Sequence, residues 1–325
     1  MFYLDDWAWA LFVYICAWMG LISMLSYIVM IVAQFVATMI PNDLKKRYDA
    51  KWAVVTGASS GIGKSLSEKL ASQGISVVLV ALDDDLLRDT TAQLCAKYPT
   101  VQFRSCGVNL GDSTGAYMDT IKASTDDIQV KLLFNNAGFI LPGMFPDTDY
   151  SRIRANLECN AVSIIPITHH FVGKMISMKW KGLVTFTSSS GGYLPSPTST
   201  LYSSTKAFIS NFGGSIAGDI KDAGIDVLVM HPSPVATNFY KGTSDQMSTL
   251  KTAMKAAVGP MVIAEQIIAG AGRVTMWDQG YVSFGMRVLL KLLDPAFVVE
   301  IISRFGYLSG DHATMVKKSV LRGAK

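Results

Sequence analysis

Apolar positions are distributed unevenly along the chain, and their spacing changes character more than once. From Trp7 to Ile40 there is no charged residue, a run of 34 positions. As an α-helix rising about 1.5 Å per residue it reaches about 50 Å, whereas a bilayer core needs about 20 residues. One span fits with residues to spare, absorbed by tilt or an interfacial extension. A re-entrant hairpin broken near Gly20 is the other arrangement this run allows. Trp7, Trp9 and Trp18 suit interfacial depth. A cleaved leader does not fit, because its apolar stretch is about 7–15 residues behind a basic start, and this run follows Asp5 and Asp6.

Pro41 and the polar stretch from Asn42 to Ala50 read as a linker, after which a different rhythm begins. Short apolar runs at 52–56, 76–81, 101–106, 131–134, 183–187 and 225–230 predict strands. Segments of helical period separate them, at about 61–73, 84–97, 112–126, 149–178 and 200–222. Continuous apolar strands alternating with helices predict a parallel sheet covered on both faces and joined by right-handed crossovers. This is the α/β, Rossmann-type doubly wound fold, here preceded by a transmembrane helix. Residues 231–260, rich in Pro, Ser, Thr and Met, read as a loop that covers a pocket. Tyr281 to Leu308 is apolar but carries Arg287, Lys291, Asp294, Glu300 and Arg304. It predicts an amphipathic interfacial segment kinked before Pro295, or a helix covering the domain, rather than a second span. The expected organisation is therefore an anchor with a basic linker at 1–49, a doubly wound domain of the dinucleotide-binding type at 50–255, and a pocket-covering, membrane-associated region at 256–325.

Composition sharpens this picture. The chain has 325 residues, half of them hydrophobic and 17% charged, with a mean hydropathy of +0.31. That is too apolar for an ordinary cytosolic domain, and it rules out a mainly disordered chain. All 29 basic and 25 acidic residues lie outside the 7–40 block. The net charge of +4 is mild, and no dense basic run with interleaved aromatics suggests nucleic acid. Lys45, Lys46 and Arg47 follow the block, and the basic side of a span tends to stay cytosolic. The catalytic bulk is therefore expected to face the cytosol. Two further features agree: no Asn-x-Ser/Thr acceptor occurs, and Cys16, Cys95, Cys106 and Cys159 lack disulfide or metal-like spacing. Reduced, mostly buried thiols and no metal site are expected.

The first strand ends in Thr56-Gly57-Ala58-Ser59-Ser60-Gly61-Ile62-Gly63. Gly57 allows a tight turn, Gly61 close backbone approach, and Gly63 helix–strand packing. The helix that follows presents unpaired N–H groups to a pyrophosphate. Tyr202 and Lys206 stand four apart on one helix face. Ser189 lies thirteen residues before Tyr202, just past a strand; Asn135, Asn136, Ala137 and Gly138 follow another strand, and Asn160 lies in a long helix. These types suit carbonyl reduction. A phenol near pKa 10 keeps its proton at neutral pH, and a neighbouring ammonium lowers it toward useful acid–base range. A serine hydroxyl can bond the developing oxyanion.

Through T-G-A-S-S-G-I-G at 56–63, N-N-A-G at 135–138, Asn160, Ser189 and Y-S-S-T-K at 202–206, the sequence resembles the short-chain dehydrogenase/reductase family over about residues 50–240. The resemblance implies Tyr202 as acid/base, with Lys206 lowering its pKa and binding the nicotinamide ribose. It implies that Ser189 positions the carbonyl and that Asn160 completes a proton relay. The cofactor site it implies comprises Gly57, Ser59, Ser60, Gly61, Ile62, Gly63, Asp83, Asn109, Asn136, Ala137, Gly138, Tyr202, Lys206, Pro232, Val235 and Thr237. Two positions depart from the family pattern. Ser233 stands where Pro-Gly-x-Val-x-Thr has its glycine, and Asn109 where an aspartate usually meets the adenine.

Cofactor choice turns on the end of the second strand. NADP-using relatives commonly have Ala-Arg where this chain has Ala81-Leu82; NAD-using relatives commonly have Asp at the Ala81 position. Asp83, Asp84 and Asp85 also read as a helix cap and first turn, while Ser59, Ser60 and Lys64 can receive a 2′-phosphate. NADPH is expected, with NADH not excluded. The layout most resembles the microsomal branch of the family, the very-long-chain 3-oxoacyl-CoA reductases and related 17-beta-hydroxysteroid dehydrogenases. This resemblance rests on Leu44-Lys45-Lys46-Arg47-Tyr48, Gly61-Ile62-Gly63-Lys64 and Leu194-Pro195-Ser196-Pro197. It implies an endoplasmic-reticulum membrane protein that reduces a lipid 3-oxo group during fatty-acid elongation. A steroid, a retinoid or 3-ketosphinganine is the alternative substrate, and a non-enzymatic membrane scaffold the alternative role. Lys241, Lys251 and Lys255 are candidates for CoA phosphates. The oligomeric state is open, with a homodimer through the helices carrying Asn160 and Tyr202 among the arrangements relatives adopt.

Overall fold

The computed structural model describes residues 6–241 and 247–316. Asp5 and the side chain of Asp6, which supply the acidic flank, lie outside the described residues. So do residues 242–246 of the expected pocket loop and residues 317–325.

Helix α1 spans Asp6–Met39 and runs unbroken through Gly20, so the single-helix arrangement is the one adopted. From Trp9 to Ile22 it is exposed. Toward its end, Ser23, Tyr27, Met30, Gln34 and Ala37 are buried or half-buried. Their spacing of four, three, four and three marks one helical stripe, which seats α1 on the rest of the chain. The segment read as a linker is packed instead. Asp43 caps α2 (Leu44–Tyr48) by accepting from Lys46 N, and Leu44 and Tyr48 are buried. Asn42 Nδ2 donates to the carbonyls of Ile268 and Ala271 at 2.8 and 2.9 Å.

The sheet has seven parallel strands: β1 (Trp52–Thr56), β2 (Ser76–Ala81), β3 (Phe103–Gly107), β4 (Val130–Asn135), β5 (Gly182–Thr187), β6 (Ile225–Pro232) and β7 (Met276–Gln279). Their order is β3-β2-β1-β4-β5-β6-β7. The order reverses between β1 and β4, and ligands in such sheets bind outside the carboxyl ends at that switch point. Side chains alternate across each strand. Ala53, Val55, Val77, Leu79, Leu132 and Phe134 enter the core on one face, while Val54, Val78, Val80, Leu133, Val184 and Phe186 enter the core on the other. Both faces are apolar because both are covered, and for that reason the sequence runs were continuous rather than alternating.

The covering helices are α3 (Gly61–Ser72), α4 (Asp85–Lys97), α5 (Tyr117–Ala123), α6 (Tyr150–Leu157), α7 (Ile164–Ser177), α8 (Thr200–Asp219), α9 (Ser248–Ala253), α10 (Pro260–Gly270), α11 (Gly280–Leu292), α12 (Pro295–Phe305) and α13 (Gly310–Val316). Further elements differ from the sequence expectation: the loop expected over 231–260 contains α9, and Cys16 and Cys95, expected among mostly buried thiols, are exposed. The helix expected over 112–126 is confined to α5, because Asp112 turns the chain locally by accepting from Thr114 N at 3.0 Å. The helix expected over 149–178 divides into α6 and α7 around a π-helical turn at Glu158–Val162. The strand β7 had no sequence signal: it is four residues long and only Trp277 and Gln279 are buried. With α10 packed on α3 and β7 at the sheet edge, the α/β layer continues past residue 255 and into the region expected to be a separate cover. Beyond it, the chain breaks between α11 and α12 just before Pro295, where Asp294 caps α12.

Candidate active site

The carboxyl ends of β1, β4, β5 and β6 converge on one cavity of about 640 Å³. The glycine turn forms its floor. Gly57 has φ +65°, and a Cβ there would lie 2.9 Å from Ala137 Cα; at Gly63 a Cβ would lie 2.1 Å from the Gly57 carbonyl oxygen. Any side chain at Gly63 would push α3 away from β1, so this glycine acts through packing and does not itself line the cavity. Gly57, Ser59, Ser60, Gly61 and Ile62 do line it. Ser60 caps α3 in extended conformation and its side chain makes no capping bond. The first N–H groups of α3 therefore face the cavity, a cradle suited to a pyrophosphate.

Asn136 is used twice. Its backbone N–H donates to Thr56 Oγ1 at 2.9 Å, and its side chain donates to Thr56 O at 3.2 Å while accepting from Thr187 Oγ1 at 3.1 Å. It ties together the ends of β1, β4 and β5, and lines the cavity with Ala137 and Gly138. At the far end lie Ala81, Leu82, Asp84 and Asn109. Asn109 Oδ1 accepts from Gly111 N at 2.9 Å. Asp83 is not brought to the cavity; it pairs with Arg88 at 3.0 Å on the surface. Its neighbour Asp84 lines the cavity and caps α4 through Leu87 N. Lys64 also points elsewhere, donating to Gln93 Oε1 at 2.7 Å. On the opposite wall Pro232, Val235 and Thr237 line the cavity.

Ser189, Tyr202 and Lys206 meet at the other end. Ser189 leaves β5 in extended conformation and opens a 3-10 turn, its Oγ accepting from Gly191 N at 3.0 Å. Tyr202 and Lys206 lie one turn apart on the buried face of α8. Lys206 Nζ donates to Thr187 O at 2.7 Å and lies 5.7 Å from the centre of the Tyr202 ring. Contrary to the expectation that Lys206 lowers it toward neutrality, burial pushes the Tyr202 phenol up to about 12, opposed only by its hydrogen bond with Ser189. Burial also pulls the Lys206 ammonium down to about 8. At neutral pH the phenol therefore holds its proton beside a lysine that is still mostly charged.

Asn160 is fully buried and does not itself line the cavity. It sits in the π-helical turn and grips the Phe139 backbone from both sides, accepting from Phe139 N and donating to Phe139 O, each at 2.9 Å. A Cβ on Gly138 would lie 3.1 Å from Asn160 Oδ1 and 3.6 Å from Lys206 Nζ. The glycine thus keeps the space between amide and ammonium open. Single-turn π segments of this kind are frequent at functional sites.

Sequence reasoning missed an apolar wall. Phe139, Phe239 and Tyr240 line the cavity, and the Phe239 ring lies 5.8 Å from that of Tyr202. The aromatic pair directly after Thr237-Asn238 was the available signal. Lys241, Lys251 and Lys255 are exposed and none lines the cavity. Ser233 has an unforeseen role: its Oγ accepts from Val282 N and Ser283 N, each at 3.1 Å, and so caps α11 from outside that helix.

A family model described as short chain dehydrogenase matches residues 51–248. A very-long-chain 3-oxoacyl-CoA reductase of Meyerozyma guilliermondii is 28% identical over 256 residues, covering 73% of this chain and 72% of that protein. One from Rattus norvegicus is 34% identical over 196 residues, covering 59% of this chain and 61% of the rat protein. Among solved structures, one from a study of 7beta-hydroxysteroid dehydrogenase stereoselectivity superposes with a TM-score of 0.71 at 21% identity, covering 81% of this chain and 100% of that one. A short-chain dehydrogenase from Sphingobium yanoikuyae in complex with NADPH gives 0.62 at 21% identity, covering 70% and 87%.

Proposed function

The chain belongs to the short-chain dehydrogenase family, and from that membership we propose that it is a membrane-anchored ketoreductase acting on a long-chain or very-long-chain 3-oxoacyl-CoA in fatty-acid elongation. The observation that carries the reading is the convergence of Ser189, Tyr202 and Lys206 on one cavity that begins at the glycine turn. The substrate class is supported by the names of the matched reductases and by the aromatic wall beside Tyr202. The long apolar helix α1, a candidate span over Trp7–Met39, supports a membrane address.

The nicotinamide cofactor supplies the hydride that this chemistry needs. Ser189 and Tyr202 receive the substrate carbonyl oxygen, where negative charge develops. Tyr202 donates its proton to that oxygen, and Lys206 stabilises the phenolate that remains. Asn160, beside Lys206 and linked to the Phe139 backbone, holds the path by which Lys206 is reprotonated. Gly57, Ser59, Ser60, Gly61 and Ile62 would hold the pyrophosphate side of the cofactor, Asn109 the adenine, and Val235 and Thr237 the nicotinamide side.

NADPH is the proposed reductant, its 2′-phosphate received by the hydroxyls of Ser59 and Ser60. Lys241, Lys251 and Lys255 offer exposed ammonium groups for CoA phosphates. The basic helix α2, directly after α1, supports a cytosolic catalytic domain on the endoplasmic-reticulum membrane. A homodimer is supported by the exposed Leu157, Val162, Ile165 and Phe208 around α6, α7 and α8.

The deciding experiment is NADPH and NADH oxidation by the purified full-length protein. Substrates are 3-oxoacyl-CoAs of increasing chain length and ketosteroids. Turnover that rises with acyl length supports the proposal. Turnover confined to steroids reassigns the substrate, and cofactor binding without turnover on any of these carbonyls favours a scaffold.

A further inference from the structure

A half-buried polar cluster outside the cavity connects α1 to the turn that begins at Ser189. Its centre is Arg287 on α11. The guanidinium carbon lies 5.7 Å from the ring centre of Tyr27 on α1 and 5.4 Å from that of Tyr193. The cation is thus held against one ring from the membrane helix and one from the catalytic turn. Arg287 Nε donates to Asp278 Oδ2 at 3.0 Å, and the Tyr193 hydroxyl donates to Asp278 Oδ1. Tyr27 is only 4% exposed, and its ring also stacks on Phe284 at 5.9 Å.

Tyr193 closes the 3-10 turn Ser190–Gly192 that Ser189 opens. Its ring stacks on His231 at 4.8 Å. His231 Nε2 meets Ser210 Oγ at 2.8 Å, and Ser210 and Ser188 both donate to the Lys206 carbonyl, at 2.9 and 2.8 Å. A Cβ on Gly192 would lie 2.8 Å from the Lys206 carbonyl carbon, so the turn is pressed against α8 as well. None of Tyr27, Tyr193, His231, Asp278 and Arg287 lines the cavity. Stability alone does not account for the pair. Asp278 is 9% and Arg287 36% exposed along the side chain, and a half-exposed ion pair gives little net stability. What such a pair does supply is a fixed geometry among four elements: α1, the 190–192 turn, β7 and α11.

We propose that Arg287 and Asp278 are positioning residues that tie the membrane helix to the Ser189 turn, so that the seating of α1 on the domain sets the geometry of the carbonyl site. The proposal rests on the reading of Ser189 as the residue that holds the carbonyl. Tyr27 transmits its effect through Arg287 and touches neither substrate nor cofactor.

The test uses the full-length protein in detergent. Tyr27→Leu removes the ring against the cation, Tyr27→Phe keeps it, Arg287→Met removes the cation, and Tyr193→Phe removes the bond to Asp278. Hydrogen exchange over residues 189–193, kcat, KM, NADPH affinity and melting temperature are measured for each. Coupling of this kind predicts a drop in kcat of about tenfold for Tyr27→Leu and Arg287→Met. It also predicts faster exchange at 189–193, with NADPH affinity unchanged, and recovery of both properties in Tyr27→Phe. Tyr193→Phe should speed exchange with the fold intact, which preserves the test if the other variants do not fold. Unchanged exchange and kcat in Tyr27→Leu, or losses that follow NADPH binding and melting in parallel, overturn the proposal. Ser189→Ala is the reference. If it retains full kcat, the carbonyl reading fails, while exchange at 189–193 still judges the tie by itself.

Discussion

Ser233 donates its hydroxyl to the carbonyl of Gln279 at 2.6 Å. The same oxygen accepts from the first free N–H groups of α11. A residue that departs from the family pattern is therefore what fastens the C-terminal helix to the loop lining the cavity. Ser233 is 4% exposed, so Ser233→Ala leaves buried helix N–H groups without a partner. The expected cost is about 1–3 kcal/mol. Thermal denaturation of the full-length protein checks it, as a melting temperature lowered by several degrees with NADPH affinity retained.

On the proposed mechanism, Tyr202→Phe removes the proton donor and little volume. Turnover should fall by about 10²–10⁴-fold, the usual contribution of a positioned acid. Cofactor affinity, read by NADPH fluorescence, should stay within about twofold, because the ring still fills its place. Unchanged turnover would remove Tyr202 from the mechanism.

Lys206 links activity and stability with opposite signs. Its native pKa is about 8, against 10.5 in an unfolded chain. Between those values the unfolded state binds more protons, so stability rises with pH across this window. Below about 8 both states are charged, and burial of the ammonium disfavours the native state by a constant amount. Activity runs the other way: loss of the ammonium removes the charge that favours phenolate, so kcat/KM should fall as pH rises past about 8. Rate profiles and melting curves between pH 7 and about 10 test both signs. In Lys206→Met this stability slope should disappear.

Leu82 lines the cavity where NADP-using relatives commonly carry Arg, and it is 56% exposed. Leu82→Arg adds a cation beside the ribose without disturbing the core. The ratio of kcat/KM for NADPH over NADH should rise by about tenfold. A ratio unmoved by this change would mean that the 2′-phosphate does not bind at that corner.

Arg273 closes the carboxyl end of α1, donating to the carbonyls of Ala37, Ile40 and Pro41 at 2.8, 2.6 and 2.8 Å. Arg273→Ala should leave the protein in carbonate-washed membranes but speed proteolysis between residues 39 and 44. Deletion of residues 1–41 should release the remainder from such membranes. Retention would assign an independent membrane attachment to α11 and α12, where Phe297, Ile301 and Phe305 form an exposed stripe at a spacing of four.

By itself, the sequence determined whatever depends on local spacing. Glycines 57, 61 and 63, the four-residue step from Tyr202 to Lys206, and the continuous apolar strands each follow from short-range stereochemistry. So does the long uncharged block that became α1. Tertiary structure alone decided what depends on partners distant in the chain. Asp83 and Asp84 are adjacent and chemically alike, yet only Asp84 faces the cavity, because the cap of α4 and the Arg88 pair turn them apart. Asn42 to Tyr48 looks like a polar linker until the carboxyl end of α10 supplies carbonyls 226 and 229 residues away. β7 is too short to announce itself and exists because β6 offers it a ladder. The Tyr27, Arg287, Asp278 and Tyr193 cluster draws on four elements with no common sequence period. The physical reason is the same in each case: a hydrogen bond or ring contact between remote residues leaves no periodic trace in the chain, and only the packed fold brings its two halves together.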